Sequence, residues 1–207
     1  MTEFAILNSM EKVVVLVAGY AHPNKNGEYI ASCSSTLIYS NGKKVLVDPG
    51  TNAKLLLAAL AKEKVAPLDL DLVFLSHYHP DHFLNLSVLP QLDLYDGTLI
   101  WSKDRELNYS EKIPGTNIQL LPTPGHAPEH TSLLVETDDM GTVCVAQDVF
   151  WWEDGKQKDR TYFDLLNLED QFATDLPALK QSREKVLEIA DWIIPGHGKM
   201  FKNPRSK

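Results

Sequence analysis

LDLVFLSHYHPDH, residues 70–82, runs from an apolar segment straight into three histidines and an aspartate. Residues 70–75 are nearly all apolar, the pattern of a strand covered on both faces. In the extended segment after it, alternation puts His77 and His79 on one side. Asp81 and His82 then enter a turn from which they can face the same cavity. Imidazole and carboxylate donors without a thiolate suit zinc, and also manganese or iron, and the spacing could serve two neighbouring sites.

Working outward, the apolar residues 13–17 read as a strand, and residues 20–27, with Pro23 and Gly27, as an exposed loop. Residues 36–39 and 44–48 are two strands joined across Asn41 and Gly42, a dipeptide that accepts positive φ in a tight hairpin. A helical period covers residues 52–64, and Pro67 closes it. Further strands are expected at 98–101, 118–121, 132–137, 142–146 and 192–194, with a helix over 176–190. There is no internal repeat and no linker. The 207 residues, 43% of them apolar, are long enough for one core. The expectation is one α/β domain over residues 1–207, two sheets inside and helices outside.

A formal net charge of −8 weakens general attraction to polyanions, although a local basic patch or a bound cation overrides the net sign. Cys33 and Cys144 fall in different expected strands and form no CxxC pair, so neither a disulfide framework nor a thiolate metal site is indicated. No apolar run reaches membrane-spanning length, and the opening MTEFAILNSMEKVVVLVAGY lacks a basic segment, an apolar segment and a small-residue cleavage site. A cytoplasmic protein without a membrane partner is expected, with a homodimer open.

Four side chains cannot complete two coordination shells. The remaining candidates each come after an apolar run: His126 in TPGH, where proline and glycine force a turn, Asp148, and His197 in IPGHG.

Taken in order, HxHxDH, then His126, Asp148 and His197, this pattern resembles the metallo-β-lactamase superfamily. The resemblance implies a four-layer αββα sandwich with two divalent metal ions, zinc first and manganese or iron as alternatives. By the same resemblance His77, His79 and His126 would hold one ion and Asp81, His82 and His197 the other. Asp148 would bridge them, Asp81 would also be catalytic, and a hydroxide between the ions would attack. Asp48 matches a buried aspartate that supports the ligands, and His130 a histidine behind them. Leu84, Glu129 and Gln147 stand where the family often has glycine, which would reshape the pocket. The end segments VVVLVAGYAHP, residues 13–23, and SREKVLEIADWIIPGHGKMF, residues 182–201, resemble a branch of the superfamily that cleaves RNA.

Such a centre serves β-lactams, thioesters, lactones, phosphodiesters and persulfides, so the walls must choose the substrate. Expected walls are residues 22–27, Tyr78 and the segment of Trp151 and Trp152, whose indoles could stack on a base or serve only as packing or an association surface. With the sequence stopping shortly after Phe201, no appended helical substrate domain is expected. The expectation is a phosphodiesterase or endoribonuclease acting on RNA. The alternatives are a hydrolase of a small thioester or lactone, with weak β-lactamase side activity, and a metal-stabilised binding protein.

Overall fold

The computed structural model describes residues 11–158 and 161–206; the first ten residues of the opening segment read above for export signals lie outside them. In chain order come β1 (Lys12–Val17), β2 (Tyr20–Pro23), β3 (Tyr29–Ser32), β4 (Ser35–Ser40), β5 (Lys43–Val47), α1 (Ala53–Lys62) and β6 (Leu72–Phe74). After them come α2 (Pro80–Phe83), β7 (Asp93–Tyr95), β8 (Leu99–Ser102), β9 (Arg105–Asn108), β10 (Gln119–Pro122), β11 (Thr131–Thr137) and β12 (Gly141–Trp151). The rest are α3 (Tyr162–Leu166), α4 (Leu176–Ile189), β13 (Trp192–His197) and β14 (Phe201–Lys202).

Local chemistry sets many of these boundaries. Asn41 and Gly42 both hold positive φ, 48° and 79°, between β4 and β5, as the primed hairpin turn requires. The Asn52 side chain accepts from the Leu55 amide at 3.2 Å and starts α1. Asp175 accepts from the Ala178 amide at 3.0 Å and starts α4, with Pro177 in its first turn.

The strands form two main sheets, β1-β4-β5-β6-β7-β8-β9 and β10-β11-β12-β13-β14, with β2 and β3 as a separate ribbon. Strand alternation then builds the layers. Ile38, Val45, Val47, Leu72 and Phe74 of the first sheet meet Leu133, Val135, Val143, Val145 and Ile194 of the second. The opposite face of the first sheet, with Leu37, Leu46 and Val73, packs on Leu56 and Leu60 of α1. The outer face of the second, with Leu134, Cys144 and Ile193, packs on Leu165 of α3 and Leu179 and Val186 of α4. The result is the expected four-layer αββα sandwich, and β6 is covered on both faces.

Several elements differ from expectation. Residues 20–27 are not simply a loop: β2 pairs antiparallel with β3 from Tyr20 opposite Ser32 to Pro23 opposite Tyr29. β12 does not stop at residue 146, and β13 reaches His197, because both strands run on to carry site residues. β7, β9 and α3 are three to five residues long, too short for periodicity to reveal. Cys33 and Cys144 are free and buried. Among the described residues no helix is long and apolar enough to cross a membrane.

Phe74 is fully buried where the two sheets meet. Phe74→Ala is expected to cost about 3–5 kcal/mol, seen as a lower midpoint in urea unfolding.

Candidate metal centre

Five histidines and two aspartates from different parts of the chain converge at one edge of the sandwich. The segment after β6 supplies His77 and His79, and α2 supplies Asp81 and His82. His126 comes after β10, Asp148 sits inside β12, and His197 ends β13. Their donor atoms fall into two groups, His77, His79, His126 and Asp148 in one, Asp81, His82 and His197 in the other, with the atoms of each group within 4.8 Å of one another.

Asp148 lies between the groups. Its Oδ2 is 3.1 Å from His126 Nε2, 3.4 Å from His82 Nε2 and 3.7 Å from His77 Nε2, and its Oδ1 is 3.8 Å from His197 Nε2. His79 Nδ1 is 3.0 Å from His126 Nε2, and Asp81 Oδ2 is 3.2 Å from His197 Nε2. Ligand atoms around a tetrahedral zinc, each about 2.0–2.1 Å from it, would stand roughly 3.3 Å apart, which these spacings bracket.

The far side of nearly every ring is already engaged. His82 Nδ1 donates to Asp48 Oδ2 at 2.7 Å, His126 Nδ1 to Asp170 Oδ2 at 2.8 Å and His197 Nδ1 to the Tyr20 carbonyl at 3.1 Å. Because Ser76 Oγ donates to Asp48 at 2.6 Å, it accepts from His77 Nδ1 at 2.9 Å. These bonds place the proton on the outer nitrogen and turn a lone pair inward. His77 Nε2, His82 Nε2 and Asp148 Oδ1 are buried with no hydrogen-bond partner. Unpaired buried polar atoms of this kind are costly unless a cation meets them. The donor set therefore fits divalent metal ions.

Without an ion the electrostatics divide the rings: His77 is driven neutral, whereas His126 keeps a proton that a metal ion would have to displace. Burial, with His82 and His130 alongside, pushes His77 well below the usual imidazole range, so its lone pair is free. Burial raises the carboxyl of Asp148, but His82 and His197 outweigh it and hold Asp148 well below the usual carboxylate range. At His126 burial is overcome by bonds to Asp148 and Asp170, which pull it up to about 9.

Asp48 takes no open position: the Ser76 amide at 2.8 Å, Ser76 Oγ and His82 use its oxygens. Its place is behind His82. His130 is buried behind His77, ring centroids 4.9 Å apart, with Nδ1 2.9 Å from Thr123 Oγ1, and burial pushes it down to about 3. The three candidate wall residues separate. Trp151 lines the cavity in front of the cluster, its ring 6.2 Å from that of His197. Trp152 packs in the opposite direction, against Phe201 under α3 and α4. Tyr78 donates its hydroxyl to Asp96 and does not line this cavity.

Asp170 was not foreseen. It lies in the loop between α3 and α4, 44 residues from His126, with no motif around it; only folding brings it to the ring. The same carboxylate accepts from the Phe172 amide at 2.9 Å, tying a cavity wall to a candidate ligand.

The Lactamase_B model of the metallo-β-lactamase superfamily matches residues 30–116. Human metallo-β-lactamase domain-containing protein 1 is 33% identical over an alignment covering 92% of this chain and 81% of the relative. The chain belongs to the metallo-β-lactamase superfamily. It is a metal-dependent hydrolase of that superfamily. A candidate metallo-β-lactamase of Thermotoga maritima shares the fold at a TM-score of 0.70 and 18% identity, covering 93% of this chain and 99% of the other. The dizinc quorum-quenching lactonase AidC does so at 0.53 and 19%, covering 82% and 74%.

Asp170→Asn keeps the size of the side chain but weakens the hold on His126. Metal affinity, read by chelator competition, is expected to fall roughly 10–100-fold with the fold intact by circular dichroism.

Proposed function

We propose that this protein hydrolyses a small acyl compound, a lactone or thioester with an apolar acyl part, using two zinc ions. The observation that carries the reading is the wall of the cavity. It has a volume of about 370 Å³ and is closed by Ala21, Tyr29, Ala31, Leu84, Trp151 and Phe172. Among the described residues no lysine or arginine lines it. The size and apolar lining suit a small molecule, and the acyl chain would lie against these side chains.

His77, His79 and His126 would hold one ion and Asp81, His82 and His197 the other, with Asp148 shared. When bound, such ions lower the pKa of water, polarise the substrate carbonyl and stabilise the leaving group. Asp48, Ser76 and Asp170 orient the imidazoles. Asp81 is the carboxylate of the set that opens furthest to the cavity, its side chain 24% exposed against 5% for Asp148. That position suits it to pass a proton towards the leaving group, the basis for naming it catalytic.

RNA is the second reading, favoured by Trp151, whose indole on the cavity wall offers a base a stacking surface. It ranks behind because, among the described residues, no lysine or arginine lines the cavity to meet the phosphates that flank a scissile bond. The Tyr29 hydroxyl on that wall also donates to Glu153, at 3.3 Å.

Zinc-loaded protein should turn over a panel of acyl lactones and thioesters, with His79→Ala reducing the rate to background. Single-stranded RNA should stay intact. RNA cleavage that His79→Ala abolishes, with no ester turnover, would replace the first reading by the second. Melting unaffected by chelator and no hydrolysis of any class would remove both.

A further inference from the structure

β12 begins as a regular strand. Val143 and Val145 point between the sheets, and Cys144 and Ala146 point under α4. Continued alternation would send Asp148, another even position, under the helices with Cys144 and Ala146. Instead Asp148 lies in the metal centre, while Val149, an odd position, packs under the helices. The alternation is broken here and regained further on, since Val149, Phe150 and Trp152 all pack under the helices while Asp148 and Trp151 face the cavity.

The break occurs at Gln147, which holds φ at 46° although it carries a full side chain. The register with β13 shifts on both sides of it. A left-handed residue within a strand makes a bulge and re-aims the side chains beyond it. Glycine adopts such a φ without strain, and glutamine does so only when its surroundings hold it there.

The restraint comes from the side chain itself. Gln147 is completely buried, and its Nε2 donates to the Ser34 carbonyl at 3.0 Å. Ser34 belongs to the short segment that joins β3 to β4, and this segment is tied to three other parts of the centre. The Cys33 amide donates to the Asp81 carbonyl at 3.3 Å, and the Ser34 amide to the Gly196 carbonyl at 2.6 Å. Ser35 Oγ donates to the Asp48 carbonyl at 2.7 Å. The fit is close, since a Cβ on Gly196 would stand 1.6 Å from Asp148 Oδ1.

We infer that Gln147 is a positioning residue: its amide struts β12 against Ser34 across the sandwich, and this fixes the Asp148 carboxylate between the two groups of ligands. The inference rests on the proposed metal centre, with Asp148 as the shared ligand.

Two variants separate the strut from general packing. Gln147→Gly suits the backbone but removes the strut, whereas Gln147→Met keeps the bulk and removes the hydrogen bond. Zinc affinity and stoichiometry are measured by chelator competition, alongside melting of the metal-free protein and the visible spectrum of the cobalt-substituted form. A drop of tenfold or more in affinity for at least one ion in Gln147→Gly, with metal-free melting at or above wild type and an altered cobalt spectrum, supports the strut. Gln147→Met should lose affinity as well. Wild-type affinity and spectrum in both variants would overturn it. So would equal losses of metal-free stability and of affinity in both, which would make Gln147 a packing residue. If wild-type protein binds no zinc at all, the metal centre itself fails, a result distinct from either.

Discussion

One buried carboxylate organises this molecule. Asp148 has four imidazoles within 3.1 to 3.8 Å of its oxygens, and none of those rings can turn away, because each is held from behind. A carboxylate among imidazole lone pairs in a dry interior is tolerable only with positive charge at the centre. The outer hydrogen bonds of His77, His82, His126 and His197 choose the tautomers that make a cation the best partner. The long reach of β12 and β13, the close approach of Gly196 to Asp148 and the bulge at Gln147 all place one atom group.

The stability of the sandwich and the geometry of the centre come from different residues. Three apolar layers hold the sheets and helices together, and the ligands other than Asp148 sit at or beyond strand ends, where interrupting a ladder costs least. Polar contacts take over there: Ser76 links His77 to Asp48, and Asp48 links Ser76 to His82. Substituting within this chain of contacts should therefore disturb metal binding before it disturbs the core.

The ligand cluster was readable from the sequence because its signals are local. Three histidines and an aspartate within six positions, a cap at Asn52 and a turn at Asn41-Gly42 each depend on neighbours in the chain. Asp170 was not readable, since its partner is 44 residues away and an isolated aspartate in a loop carries no signature. Nor was the break in β12: the strand was expected only over 142–146, and the packing of Val149 and Phe150 on the same side shows where alternation fails beyond it. The β2 and β3 ribbon was hidden for a similar reason, its pairing lying in polar sequence that resembles a loop. Nor does adjacency to two candidate ligands fix the direction of Tyr78, whose hydroxyl is drawn to Asp96.

The β2 and β3 ribbon belongs to neither main sheet, yet it supplies Ala21, Tyr29 and Ala31 to the cavity. It is fastened over the site by a few contacts, including the Asp154 amide to the Ala21 carbonyl at 2.9 Å and Asp154 Oδ1 to the Ala21 amide at 3.2 Å. Part of the cavity surface is thus separate from the layers that make the protein fold. Sequence drift in this ribbon can retune which molecules enter while leaving the reactive atoms and the core untouched, so one hydrolytic engine can be refitted to new substrates by exchanging its cover.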